Sequence, residues 1–193
     1  MKLLHSALFA ALLCGAASGA SATTLDFEDL TGSVSQIAGG YQGFTWSNFY
    51  DITKSYLPAT GYDYGTVSGV ISIFNAYGSP ASLASSSDFT LNSFYATAAW
   101  GAMDLILTAY NDGVQVFSGS YALNTTTPTL ISLDWAGVDY VTFSSSINSQ
   151  FAVDDLSFNQ AASAVPLPAA APLLIAGLGA MGVASRRRRR TEA

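Results

Sequence analysis

Between residues 23 and 159, short runs rich in β-branched and aromatic side chains alternate with clusters of Gly, Ser, Asn and Pro, and no stretch repeats its apolar positions every 3.6 residues. The pattern predicts strands near 24–27, 43–49, 70–75, 89–95, 105–110, 114–121, 129–133, 140–143 and 151–158. The hairpin signal is clearest over 105–117. There Leu105, Leu107 and Ala109 alternate with Ile106, Thr108 and Tyr110, and Asn111-Asp112-Gly113 tolerates the positive φ of a tight turn. The Ser-rich residues 79–87 read as a loop. Nine strands in this span predict an all-β domain: a two-sheet antiparallel β-sandwich, jelly-roll-like, with its first and last strands as neighbours.

The flanks carry other patterns. Lys2 precedes an apolar run from Leu3 to Leu13, interrupted by His5 and Ser6, and small residues follow to Ala20-Ser21-Ala22. Residues 1–22 therefore read as a secretory signal helix, cut by signal peptidase after Ala22 or, alternatively, after Ala20. Its apolar run is short of the roughly 20 residues a bilayer needs. Leu13 before Cys14 argues against lipoprotein processing. At the other end, a polar linker at 160–164 leads to Val165-Pro166-Leu167-Pro168-Ala169, an apolar run to Ala184, and Arg186, Arg187, Arg188, Arg189 and Arg190. The two prolines fix an extended segment that a protease can hold like a strand. The run 167–185 reads as a single transmembrane helix, since about 19 residues at 1.5 Å each just cross a bilayer. The Arg cluster would stop translocation and stay cytoplasmic, leaving the β domain outside.

The succession of Val-Pro-Leu-Pro-Ala, one short hydrophobic helix and a terminal Arg cluster resembles the PEP-CTERM sorting signal in its VPLPA variant, over residues 165–190. Leu167 stands between the prolines where the usual motif has Glu. The resemblance implies an exosortase partner, a membrane protease-transpeptidase of Gram-negative bacteria that removes the helix and Arg tail. It also implies export through the inner membrane, a membrane-anchored precursor, and residence at the cell surface or in an exopolysaccharide or biofilm matrix. The stretches 25–29, 41–46 and 151–156 are similar to jelly-roll ectodomains found on such proteins, which resemble carbohydrate-binding modules in outline. Within the apolar run, Gly177-Leu178-Gly179-Ala180-Met181-Gly182 spells a dinucleotide fingerprint, but it lacks the preceding strand and downstream acid that the motif requires. Its small residues instead suit close packing of membrane helices.

Composition narrows the chemistry. The chain's 193 residues are 50% hydrophobic and only 10% charged, with 13 acidic and 7 basic side chains. Between residues 23 and 165 stand twelve acids and a single Lys, Lys54, a formal charge of −11 against −6 for the whole chain. A nucleic-acid partner, which demands a basic stripe, is excluded. The only Cys and the only His lie in the leader, so the exported part has no disulfide, thiolate nucleophile, imidazole base or His/Cys zinc site.

Acids cluster at both ends of the β domain. If the first and last strands pair, Asp26, Glu28, Asp154 and Asp155 converge, with Asp29 nearby. Two readings stand: a structural Ca²⁺ site of hard oxygens, as the jelly-roll resemblance implies, or acids that solubilise edge strands. No other cofactor is required. Residues 41–64 hold eight aromatics, interleaved with Asn48, Asp51 and Asp63. Such rings stack on sugar faces or fill a core, and Phe44, Trp46 and Phe49 read as core. Tyr62, Asp63 and Tyr64, between Gly61 and Gly65 in an expected loop, together with Trp100, are the candidate carbohydrate-binding residues.

No catalytic residues stand out. Asp154 and Asp155 are adjacent in a strand and point to opposite faces, so they cannot flank one glycosidic bond. The reading is a non-enzymatic, exported surface or matrix protein that binds extracellular polysaccharide through its β domain. Two alternatives remain: a structural protein that self-associates through sheet edges, and a glycan-active enzyme.

Overall fold

The computed structural model describes residues 23–159; the expected signal peptide with Ala20 and Ala22, the linker, the transmembrane helix and the sorting motif lie outside them. The chain divides into two units at residue 161, and the described residues belong to the first. Among the described residues, no helix is long and apolar enough to cross a membrane.

Among the described residues nine strands form: β1 (Thr23–Leu25), β2 (Thr45–Ser47), β3 (Phe49–Thr53), β4 (Ile71–Asn75), β5 (Ala81–Ala98), β6 (Met103–Asn111), β7 (Val114–Leu123), β8 (Thr129–Ser145) and β9 (Phe151–Phe158). A short α-helix, α1 (Gly61–Gly65), precedes β4. All pairings are antiparallel and join the strands into one hydrogen-bonded sheet in the order β3-β4-β9-β5-β8-β6-β7, with β1 beside β9 and β2 beside β5. First and last strands do pair, Thr23 opposite Phe158 and Leu25 opposite Leu156. The hairpin of β6 and β7 closes at Asn111 opposite Val114.

By hydrogen bonding there is one sheet where the sequence predicts two, because β5 and β8 are long and continuous. The expected loop 79–87 is mostly strand: β5 runs through its serines, and residues 85–88 bulge between the pairs Ala84–Tyr140 and Phe89–Val138. Likewise β8 fuses two predicted strands by absorbing Asp134 (φ 48°) and Gly137 (φ 68°) at irregularities. The opposite happens at Asn48, whose φ of 56° splits the predicted strand 43–49 into β2 and the start of β3.

The sheet curls over its own inner face. Phe49 on β3 and Phe143 on β8 are four strand positions apart, about 19 Å in a flat sheet, yet their ring centroids lie 5.3 Å apart. The main core fills this enclosure with Phe49, Ile73, Phe94, Val141, Phe143 and their neighbours. Phe44 and Trp46 belong to it as expected, meeting each other edge to face. A second, smaller core lies on the other face of β3 and β4, because alternation sends Phe49 and Ile73 inward but Ile52 and Phe74 outward. There Tyr62 of α1 covers them, so every residue of β4 is buried.

Candidate functional site

The outer face of β3 and β4 carries an open groove of about 390 Å³. Its floor is Ile52, Phe74 and Tyr62, and its rim is Tyr50, Tyr56, Tyr77 and Trp100. Leu57, Val34, Ala76 and Gln150 complete the lining, which contains no charged side chain.

Two glycines let α1 form the floor. Gly61 donates its amide to the carbonyl of Ala99 (3.1 Å), an approach that a side chain would block, and a Cβ on Gly65 would lie 3.0 Å from side-chain carbons of Thr97 and Ala152. Tyr62 is thereby pressed down until only 1% of it is exposed, its ring edge-to-face with Phe74 (5.3 Å) and Trp100 (5.6 Å). Burial raises the pKa of its hydroxyl, and the neighbouring Trp100 side chain opposes that rise. Asp63 turns its carboxylate away from the groove to accept the amide of Ala59 (3.0 Å).

Trp100 is 56% exposed and is oriented by its indole N–H, which donates to Oε1 of Gln150 (2.9 Å). Tyr77 is 84% exposed and has φ 59°, a left-handed backbone that a bulky residue rarely adopts. The surrounding turn enforces it. Asn48 donates its amide to the carbonyls of Ala76 (3.0 Å), Ser79 (3.1 Å) and Pro80 (3.2 Å). Buried Asn75 donates to Ser79 (3.0 Å) and Ser149 (3.2 Å) and accepts the Phe151 amide (2.7 Å). Tyr77 then stands edge-on to Tyr50 at 6.4 Å. Burial and the neighbouring Tyr77 raise the pKa of the Tyr50 hydroxyl.

Of the expected carbohydrate-binding residues, Trp100 and Tyr62 meet in the groove, the second as floor rather than as an exposed loop residue. Asp63 and Tyr64 do not line it. Sequence reasoning missed Tyr77 and did not single out Tyr50 or Tyr56. The signal for Tyr77 was there in Asn75-Ala76-Tyr77-Gly78, a turn-forming stretch with an aromatic at its apex.

The four candidate calcium ligands each find other partners. Asp154, fully buried, accepts the amides of Val67 (2.8 Å) and Ser68 (3.0 Å) on one oxygen and that of Asp155 (2.8 Å) on the other. Asp155 accepts the hydroxyl of Ser68 (2.7 Å), Glu28 accepts the amides of Val70 (2.8 Å) and Ile71 (2.7 Å), and Asp26 accepts that of Glu28 (3.2 Å). Hydrogen bonds therefore engage at least one oxygen of every one of these acids, a poor fit to calcium, which takes about six to eight oxygen ligands. Among the described residues, no three acidic side chains group closely enough to hold a metal ion. Burial pushes the Asp154 carboxyl from 3.8 up to about 7; the amides of Ser68, Asp155 and Val67 oppose the shift, and the Asp155 charge reinforces it. Asp51 does the same for another loop, accepting from Thr31, Gly32 and Ser35. Loop amides thus take the place of the missing Lys and Arg.

Residues 164–190 match the PEP-CTERM protein-sorting motif. The chain therefore carries the sorting signal that its sequence resembles, which implies export and a membrane-anchored precursor in a Gram-negative bacterium. No curated protein matches the chain. Among solved structures it is similar to a "Family 16 Carbohydrate Binding Module-2", at 10% identity and a TM-score of 0.37, over 64% of this chain and 97% of that one. It is also similar to an agarase, AgWH50C (9%, TM-score 0.39, 73% of this chain and 25% of that one). A third is TmCBM61 in complex with β-1,4-galactotriose (10%, TM-score 0.27, 62% and 87%).

Proposed function

We propose that this is an exosortase-processed protein of the cell surface or extracellular matrix, whose β domain binds a polysaccharide chain in the Tyr77–Trp100 groove without transforming it. The observation that carries the reading is the lining: exposed aromatic rims over an apolar floor, with phenol, indole N–H and amide as its polar groups. Pyranose rings present C–H faces that stack on such rings and hydroxyls that pair with such groups. The absence of any Asp or Glu from the groove lining supports a non-catalytic role, since glycoside hydrolysis uses a pair of carboxyl groups. In this reading the curled sheet works as a two-layer sandwich, a rigid support for the rim.

The test uses the extracellular polysaccharide isolated from cells that make the protein, as the mobile-phase additive in affinity electrophoresis. The intact chain is retarded, and Trp100→Ala and Tyr77→Ala each weaken retardation about tenfold. Equal retardation of all three removes the groove from the function.

One observation favours self-association as a second reading. β7 is an edge strand of 10 residues without Pro or charge, and Val114 and Val116 are exposed on it. Edge strands are ordinarily guarded by such residues. Concentration-dependent sedimentation that Val116→Lys abolishes would favour assembly over ligand binding.

A further inference from the structure

On the outer face of β6 and β8, a second hollow of about 440 Å³ is lined by Tyr110, Tyr140, Asp139, Ala84, Ser85 and Gly113. Tyr110 and Tyr140 are cross-strand partners whose rings lie 5.7 Å apart, tilted by 42°. Their neighbours Ala109 and Val141, also paired, point into the main core, so the two phenols point outward. Asp139 accepts the amide of Asp112 (2.9 Å) on Oδ2. Its Oδ1 is shielded from solvent and has no hydrogen-bond partner among the described residues. The domain's single basic side chain, Lys54, donates to the carbonyl of Gly69 instead. The hollow therefore joins two aromatic faces to a carboxylate group that has one hydrogen bond and no counter-charge among the described residues. Such a carboxylate gains most from a ligand that brings a positively charged donor, and the ring faces favour the same charge.

The geometry points to a second binding site in this hollow for a sugar residue carrying a free amine, its ammonium on Asp139 and its ring or C–H face on Tyr110 and Tyr140. The choice of a sugar as carrier of the amine rests on the glycan-binding reading of the first groove. The two sites lie on opposite sides of the main core: Phe74 and Ile52 face the first while Ile73 and Phe49 face inward, and Tyr110 and Tyr140 face the second while Ala109 and Val141 face inward. One domain can then hold two glycan chains at once and bridge them, which turns a surface binder into a matrix cross-linker.

The test titrates the full chain, solubilised in detergent, with a glucosamine hexasaccharide and with its fully N-acetylated counterpart, following heat. The free-amine oligomer binds, and both Asp139→Asn and Tyr140→Ala weaken it about tenfold while leaving the melting temperature and the retardation by extracellular polysaccharide unchanged. Asn at 139 keeps an acceptor for the Asp112 amide, and Tyr140→Ala removes only a partly exposed ring. Equal affinity for the acetylated oligomer, or no loss in either variant, overturns the proposal. Displacement of the oligomer by Nα-acetyl-lysine at lower concentration than by glucosamine assigns the hollow to a protein side chain and also overturns it. The two sites fail separately. If Trp100→Ala loses all binding and Tyr140→Ala none, the second site is wrong and the groove stands; if the pattern is reversed, the groove reading is wrong and the second site stands.

Discussion

Gly61 lies so close to the backbone of Ala98 that a Cβ at residue 61 would overlap the Ala98 carbonyl oxygen. The contact is what lets a five-residue helix, too short to be stable alone, act as the floor of a groove. Gly61→Ala must push α1 outward and lift Tyr62 from Phe74. The expected cost is about 1–3 kcal/mol in urea unfolding, with loss of the near-ultraviolet signal of the Tyr62–Trp100 pair. An unchanged midpoint would mean that α1 does not pack as described.

Tyr77 is held at φ 59° by its turn, a strain of about 1–3 kcal/mol for a residue with a Cβ. Glycine has no such strain, although it gives back part of the gain through chain entropy. Tyr77→Gly is therefore expected to raise stability by about 1 kcal/mol while weakening retention on polysaccharide about tenfold. Opposite movement of the two quantities separates a functional ring from a packing one. Loss of both would make Tyr77 a structural residue.

The Asp154 carboxyl, pushed up to about 7 by burial, fixes the sign of a pH effect. Its folded-state affinity for the proton exceeds the unfolded one, so its contribution to stability is fully present below about pH 3.8 and is lost as pH rises towards 7. Other groups shape the whole curve. The difference between wild type and Asp154→Asn isolates this one, and it should decline across that window by on the order of a few kcal/mol. A difference independent of pH would show that the three amide bonds fully offset the burial.

The same amide bonds predict indifference to calcium. Melting in EDTA and in added calcium should agree within about 1 °C, well under what 1 kcal/mol produces in a domain of this size. Glu28→Ala, by contrast, frees the amides of Val70 and Ile71 and should cost about 1–3 kcal/mol. A melting point that rises with calcium would put a cation among these acids after all.

Much of this was legible in the sequence where one residue type decides the outcome. The Arg cluster and paired prolines gave away the sorting signal, and alternation with an Asn-Asp-Gly turn gave away the β6–β7 hairpin. The core role of Phe44 and Trp46 also followed from local pattern. What failed was anything decided by a single backbone angle or by distant contacts. Asn48 at φ 56° divides one predicted strand into two and sends Tyr50 to the outer face. Serines 85–87 look like a loop and are a bulge, because β8 supplies their pairing context from more than 50 residues away. Tyr62 looked exposed between two glycines; those glycines permit burial instead, by close approach to β5. The acids suggested a cation because nothing in a sequence shows which backbone amides a fold will bring to them.

Sorting makes a prediction that does not depend on the groove. If signal peptidase cuts after Ala22 and an exosortase acts at the Val165–Ala169 motif, intact-mass spectrometry of the protein from its own cells gives a chain beginning at Thr23 and ending within that motif. Removing Arg186 to Arg190 takes away the residues that halt translocation, so the precursor should no longer be retained and processed, and the chain should keep its apolar run. A mature protein that still carries the Arg tail would instead be a permanently anchored single-span protein. Both proposed binding sites would then be confined to the membrane surface, where a cross-linker could tether polysaccharide to the cell but could not spread through a matrix.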